Sequence, residues 1–188
     1  MGQSNKFVDS SRLGVIILSI FALVWAIAAM VLSTVPLALT VPAAAMVFIA
    51  AAAIITIANS RRFVAVDEQQ LPMAPRQRRT IFIAANIVQA ILFSVLLSVC
   101  IALDELAYIP LGGSVIVGAH LIPIGLSFGE KAFMVGGSLL VLTGISGLVV
   151  SWVLFTTSAF ASGVVSLLNA LVLIGLAAVQ LRLYSTAA

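Results

Sequence analysis

One histidine is the first residue of this chain whose type and position suit chemistry. His120 lies about ten residues into an apolar run, which at ~1.5 Å per helical residue places it near the middle of that run. An ionisable side chain at membrane depth is costly and usually faces the protein interior. A neutral imidazole also needs partners for one donor and one acceptor. Two interpretations stay open: a packing histidine bonded to one neighbour, or a site for a proton or a ligand.

Three amides and one proline are candidates to complete a polar site around this histidine. Pro123 follows it by one helical turn and lacks an N–H, so the carbonyl of Ala119 loses its helical partner. Asn86 and Gln89 share one face of the preceding apolar run. Asn169, in the last run, could join them from the opposite side. Such amides either line a cavity or hydrogen-bond across helices, and the residues alone leave both open.

Small residues at intervals of four predict close packing rather than chemistry. Gly125 and Gly129 stand in GxxxG spacing, and Gly118 follows Ser114 by the same interval. Gly147 has a small residue four positions away on either side. This spacing lets helix backbones approach one another. We expect the fourth and fifth apolar runs to pack tightly through these positions.

The sequence lacks the motifs of the common enzyme and cofactor sites. There is no HExxH, no G-x-S-x-G, no P-loop and no CxxC pair. A single histidine excludes a bis-histidine haem, and Cys100 has no second cysteine for an intrachain disulfide. We therefore expect no catalytic residue, no metal, no cofactor and no enzymatic activity.

Composition places the chain in the membrane. Of its 188 residues, 63% are hydrophobic and only 8% are charged; its mean hydropathy is +1.28. A soluble domain carries about 25% charged residues. Several apolar runs reach the ~20 residues that cross the hydrocarbon layer. They are continuous, whereas the strands of a membrane β-barrel alternate in hydrophobicity.

We therefore predict an all-α polytopic bundle that forms a single membrane domain over residues 1–188. The fourth span is the shortest and is rich in glycine, but it has to cross if all basic residues are to share one side. A loop over 59–79 is predicted between the second and third spans. The predicted spans are 13–33, 36–58, 80–103, 110–128, 132–154 and 161–181.

Six spans put every basic residue on one side. Cytoplasmic loops retain Lys and Arg, so both termini are predicted to be cytoplasmic in a multi-pass protein of the inner (plasma) membrane. These residues flank spans without an interleaved aromatic platform, so nucleic acid is not an expected partner. The expected partners are the lipid bilayer and either a second copy of the chain or another membrane protein. The basic residues are Lys6, Arg12, Arg61, Arg62, Arg76, Arg78, Arg79, Lys131 and Arg182.

About a third of the chain resembles a group of bacterial multi-spanning membrane proteins of uncharacterised activity. In that group an N-x-x-Q helix precedes a V-G-L-H-F-x-P-like segment. Here the segment reads Val-Gly-Ala-His-Leu-Ile-Pro over 117–123, so the glycine, histidine and proline fit while Ala119 and Leu121 depart. The resemblance implies a bacterial inner-membrane protein and supplies no substrate.

Two functions remain open at this stage. In one, the protein is a small permease-like or ligand-sensing bundle with a polar site around His120, near the midplane where transporter sites commonly lie. In the other, it is a structural or accessory subunit of a membrane complex, and the same polar residues hold helices together. Only the first needs a cavity that water can reach.

Overall fold

The computed structural model describes residues 4–31, 36–60, 72–153 and 158–184. Within these ranges the chain is an all-α bundle of six helices, each long and apolar enough to cross a membrane. The predicted fold class is thus confirmed, and the protein is a multi-pass membrane protein. The helices are α1 (Ser4–Val31), α2 (Leu37–Ser60), α3 (Pro75–Ala102), α4 (Tyr108–Phe128), α5 (Lys131–Val153) and α6 (Ser158–Tyr184).

Two helices begin five or more residues earlier than the apolar runs predict. Helix α1 begins at Ser4 rather than at residue 13, and α3 begins at Pro75 rather than at residue 80. Hydropathy locates the segment that suits hydrocarbon, whereas backbone hydrogen bonding continues the helix into polar residues. Pro75 also suits the first turn, where its missing N–H would have no helical acceptor. Residues 61–71 of the predicted loop lie outside the described residues.

Helices α3 to α6 alternate in direction, and contacts at both ends of the bundle show this. At one end, the Arg78 guanidinium of α3 lies 6.0 Å from the Phe128 ring of α4. Gln180 of α6 donates to Glu130, which precedes α5, at 3.4 Å. At the other end, Ser158 donates to Glu105 at 3.4 Å. We call the end that contains Arg78 and Glu130 the basic end.

Glycines allow α4 to lie directly against α5. A Cβ atom at Gly118 would collide with the carbonyl oxygen of Gly137 and lie 2.7 Å from the backbone nitrogen of Val141. At Gly125 it would lie 2.8 Å from a side-chain carbon of Met134. Helix backbones can approach this closely only where the side chain is a hydrogen atom.

Two further glycines of the predicted packing set have different surroundings. Gly147 of α5 packs against Val165 of α6, where a Cβ would lie 2.6 Å from Cγ2. Gly129 was predicted to pack in GxxxG spacing with Gly125, but it ends α4 in the left-handed conformation at φ 69°. Its backbone N–H bonds to the Gly125 carbonyl, so its conformation rather than helix packing requires glycine.

Helix α3 is the most peripheral helix of the bundle. Helix α1 packs on α2 and α6, and α6 also packs on α4 and α5, whereas α3 packs mainly on α4. Only Arg78 and Cys100, near its two ends, are buried in α3. This arrangement leaves a space between α1 and α3, and α4 bounds that space on one side.

Candidate functional site

A cavity of about 220 Å³ occupies the space between α1 and α3. His120 on α4 and both Asn86 and Gln89 on α3 line it together. At ~30 Å³ per liquid water, this volume holds several waters or one small molecule. The other lining residues described are apolar except for glycine, and they are Gly14, Ile17, Leu18, Phe21, Phe82, Val117, Leu121, Ile124, Phe133 and Leu173.

His120 presents an unused hydrogen-bonding atom in this region. Its Nδ1 is buried and has no hydrogen-bond partner among the described residues. Ala85 of α3 lies beside the ring. Leaving a buried polar atom unpaired costs about 1–3 kcal/mol. A water or a ligand group that reaches Nδ1 would remove that cost.

The two amide side chains of α3 differ in their hydrogen bonding and burial. Asn86 donates through Nδ2 to the carbonyl of Phe82 in its own helix at 2.7 Å, and this bond does not use its Oδ1 acceptor. Gln89 is half-buried and faces the space beside His120. Because the two residues stand one turn apart on one helix face, their side chains enter the same cavity.

Aromatic side chains of α1 and α3 pack on the same glycine of α4. At Gly113 of α4, a Cβ would lie 3.3 Å from the Phe93 ring of α3 and 3.4 Å from the Trp25 ring of α1. Leu96 packs in the same way on Gly112. These contacts lie beyond the cavity residues on α1 and α3, on the side away from the basic end. Both helices therefore pack on α4 where the cavity stops.

A second cavity lies on the other side of the His120 side chain, between α3 and α4. It has a volume of about 320 Å³, and its lining includes His120, Gln89 and Pro123. Its remaining lining is apolar: Ile81, Ala84, Ala85, Val88, Leu92, Ile116 and Ala119. His120 and Gln89 therefore stand between an inner cavity and an outer one.

Pro123 lies on the outer side of this pair. Helix α4 continues through it to Phe128. Ala119, whose carbonyl Pro123 deprives of a helical donor, lines the outer cavity with it. A polar group entering that cavity would have a carbonyl within the same turn as the imidazole.

Asn169 lies elsewhere, in the core between α4, α5 and α6. Its side chain is fully buried, and its Oδ1 lies 3.0 Å from the hydroxyls of both Ser114 and Thr143. Ser114 also lies 2.6 Å from the carbonyl oxygen of Leu140. Asn169 therefore forms hydrogen bonds between helices. It does not line either cavity beside His120.

The Asn169 amide is bonded on one side only. Each hydroxyl has one proton, so Ser114 and Thr143 can donate to Leu140 or to Asn169 but not to both. The Nδ2 atom of Asn169 is buried without a partner in the described part of the chain. Exchanging the amide oxygen and nitrogen would leave the oxygen unpaired in its place. One side of the amide stays unsatisfied either way.

Metal-binding chemistry finds no support in the described ranges. They contain no group of three or more His, Cys, Asp or Glu side chains placed to hold an ion. Cys100 is buried near the end of α3 and is a free thiol. The polar groups around His120 suit hydrogen bonding to a neutral molecule.

The chain matches no protein-family model, no curated protein and no solved structure.

Sequence reasoning did not assign Ser114 and Thr143 to hydrogen bonding, nor Trp25 and Phe93 to packing on Gly113. The two hydroxyl residues were visible only as members of small-residue intervals, which indicate helix proximity and not the partner. No sequence signal distinguishes Trp25 from a lipid-facing aromatic residue, because its contacts come from two other helices.

Proposed function

We propose that the protein is a non-enzymatic, permease-like or ligand-sensing bundle that binds a small uncharged molecule at His120, Asn86 and Gln89. One observation carries this proposal: the three polar side chains line one cavity, and the buried Nδ1 of His120 lacks a partner among the described residues. Ligand sites are typically apolar pockets with a few polar groups that fix orientation.

The character of the cavity defines the class of ligand. No Asp, Glu, Lys or Arg is among its described lining residues, so nothing there would compensate an ionic ligand. A molecule with an apolar body and one hydroxyl, carbonyl or amide group fits the lining. The outer cavity suggests lateral access from the bilayer, with His120 and Gln89 between the two spaces.

Sidedness belongs to the same proposal. The positions of Lys and Arg support a bacterial inner-membrane location with the basic end in the cytoplasm. Under this orientation both termini are cytoplasmic.

Cysteine accessibility tests the cavity. In a Cys100→Ser background, Asn86→Cys, Gln89→Cys and His120→Cys are each treated with a small membrane-impermeant thiol reagent, after checking that each variant folds. We expect labelling at His120→Cys together with at least one α3 position. Asn169→Cys, in the packed core, is the matched unreactive control, and Lys131→Cys, in an exposed position, is the reactive one.

The outcomes separate a wet cavity from a dry one. If Lys131→Cys reacts while all three cavity positions stay unlabelled from both sides, the permease-like proposal is wrong. If Asn169→Cys reacts as fast as the cavity positions, the labelling reports a loosened bundle and gives no support.

A structural subunit of a membrane complex is the second candidate, and the exposure of α3 favours it. Most of the large apolar side chains of α3 are exposed, so this helix offers an apolar face to lipid or to a partner helix. Unlabelled cavity positions combined with specific crosslinking of Ile87→Cys or Val95→Cys on α3 to another membrane protein would support this alternative.

A further inference from the structure

Arg78 is a buried cation without a counter-ion in the described structure. Its side chain is only 4% exposed, although it belongs to the first turn of α3 at the basic end. Its Nε has no hydrogen-bond partner. No carboxylate oxygen of the described residues comes within 4.0 Å of its guanidinium nitrogens. Arginine is almost never this buried unless it is paired.

The contact that Arg78 does make leaves its donors unused. Its guanidinium carbon lies 6.0 Å from the centre of the Phe128 ring, at the end of α4. The ring face attracts the positive charge, but it accepts no N–H hydrogen bond in the plane of the guanidinium. That plane carries five donors in a fork that matches the oxygens of a phosphate or a carboxylate.

The acid that follows the end of α4 does not neutralise Arg78. Glu130 follows the Phe128-Gly129 end of α4, but its carboxylate accepts from Gln180 of α6 at 3.4 Å. Burial raises the pKa of Glu130, which favours its neutral form. The acid therefore belongs to a separate contact.

The beginning of α3 concentrates positive charge further. Arg76 and Arg79 flank Arg78 and are exposed, and Ala74 at the N-cap has no side-chain acceptor for the first-turn N–H groups. A helix N-terminus has a partial positive charge and favours anions. Three arginines in this turn are therefore unfavourable until an anion joins them.

We propose that Arg78, at the junction of the α3 start and the α4 end, forms a binding site for a phosphate group of an anionic phospholipid or of a soluble phosphate. The phosphate would bond to the guanidinium fork, and the exposed Arg76 and Arg79 would add long-range attraction. Basic pockets between transmembrane helices at the membrane surface bind lipid headgroups in this manner.

Thermal unfolding of the full-length protein in neutral detergent tests the site. The melting temperature is followed by tryptophan fluorescence while phosphatidylglycerol, phosphatidylcholine or inorganic phosphate is added at constant ionic strength. We expect stabilisation by phosphatidylglycerol and none by phosphatidylcholine. Stabilisation by inorganic phosphate to the same extent would identify a soluble phosphate as the ligand, and its absence would identify the lipid headgroup.

Matched arginine variants assign the effect to one side chain. Arg78→Gln is expected to weaken the apparent affinity for the stabilising species roughly tenfold or more, because the charge-assisted hydrogen bonds of the guanidinium fork are lost. Arg76→Gln and Arg79→Gln each remove one exposed charge from the same turn, and we expect less than about a threefold loss by screened attraction alone. Arg78→Lys keeps the charge but loses the fork, so we expect an intermediate loss.

Two results would overturn the proposal. One is a wild-type melting temperature that neither phosphatidylglycerol nor inorganic phosphate raises above the phosphatidylcholine control. The other is an equal loss of affinity in all three Arg→Gln variants, which would indicate unspecific attraction to a basic surface. If Arg78→Gln fails to fold, the wild-type titration and Arg78→Lys still decide between these outcomes.

Discussion

Two asparagines in membrane-spanning helices, Asn86 and Asn169, have different surroundings. Asn169 is fully buried and lies within hydrogen-bonding distance of hydroxyls on two other helices. Asn86 is exposed and donates to the carbonyl of Phe82 in its own helix. An amide that connects helices contributes to the stability of the bundle, whereas one that bonds within its helix mainly determines what a cavity presents to a ligand.

This difference predicts unequal effects on stability. Asn169→Ala should lower the free energy of unfolding by roughly 1–2 kcal/mol, because it removes interhelical hydrogen bonds and leaves a void. Asn86→Ala is the matched control and should change it by less than about 0.5 kcal/mol. Equilibrium unfolding in mixed micelles measures both. A larger loss for Asn86→Ala than for Asn169→Ala would contradict the assignment of Asn169 to the core.

Glycines determine how closely neighbouring helices approach. Gly118→Ala should lower the free energy of unfolding by about 1–3 kcal/mol, because the added methyl meets the backbone of Gly137 and Val141, which no rotamer change can relieve. Gly175→Ala in α6 is the control, since nothing lies within 4 Å of its Cβ position.

Gly175→Ala should leave the free energy of unfolding unchanged or raise it by up to about 1 kcal/mol, because alanine has a higher helix propensity than glycine. The same unfolding assay compares the two substitutions. Equal losses for both glycines would mean that α4 and α5 are not in backbone contact.

The turn between α4 and α5 should make stability depend on pH. Burial raises the pKa of Glu130 above its ordinary value of 4.5. The folded protein then keeps a proton that the unfolded chain has released, so stability is greatest at low pH. It should fall as the pH rises above about 4.5 and level off once the pH exceeds the raised pKa.

Glu130→Gln should remove this dependence and raise stability at neutral pH, because its amide needs no proton to stay neutral. Unfolding measured from pH 4 upward checks the slope. Glu105→Gln, in the turn at the opposite end, controls for the loss of one acidic group elsewhere. A wild-type slope that survives in Glu130→Gln would show that another group causes it.

At the scale of the whole molecule, alternating helices and one-sided basic charge make a topology prediction. Alkaline phosphatase fused after Glu105 should be active, and the same enzyme fused after Arg182 should be inactive, because only the first position is translocated. A fluorescent protein that folds only in the cytoplasm should show the reverse pattern at the same two positions.

A fusion after Lys131 distinguishes six spans from five. If α4 crosses the membrane, this position lies on the cytoplasmic side and the phosphatase is inactive there. Activity at both Glu105 and Lys131 would mean that α4 does not cross, and it would also move Arg182 to the outer side.

The helical bundle and the membrane were readable from the sequence, because both depend on properties of single segments. A run of apolar residues about as long as the hydrocarbon layer specifies a spanning helix whatever its neighbours are. The shared face of Asn86 and Gln89 was also readable, since the helical repeat alone determines it. The first residues of the helices were harder to predict from the sequence, because polar residues such as those of 4–12 extend α1 beyond its apolar part.

Tertiary structure decided which polar residues share a site. Asn169 and Asn86 have the same side chain in similar apolar runs, yet only the packing of α6 against α4 and α5 buries the first. Arg76, Arg78 and Arg79 are equivalent in sequence, yet the orientation of α3 against the end of α4 buries only Arg78. The physical reason is that burial and partnership depend on distances between helices, whereas composition and periodicity describe one helix at a time.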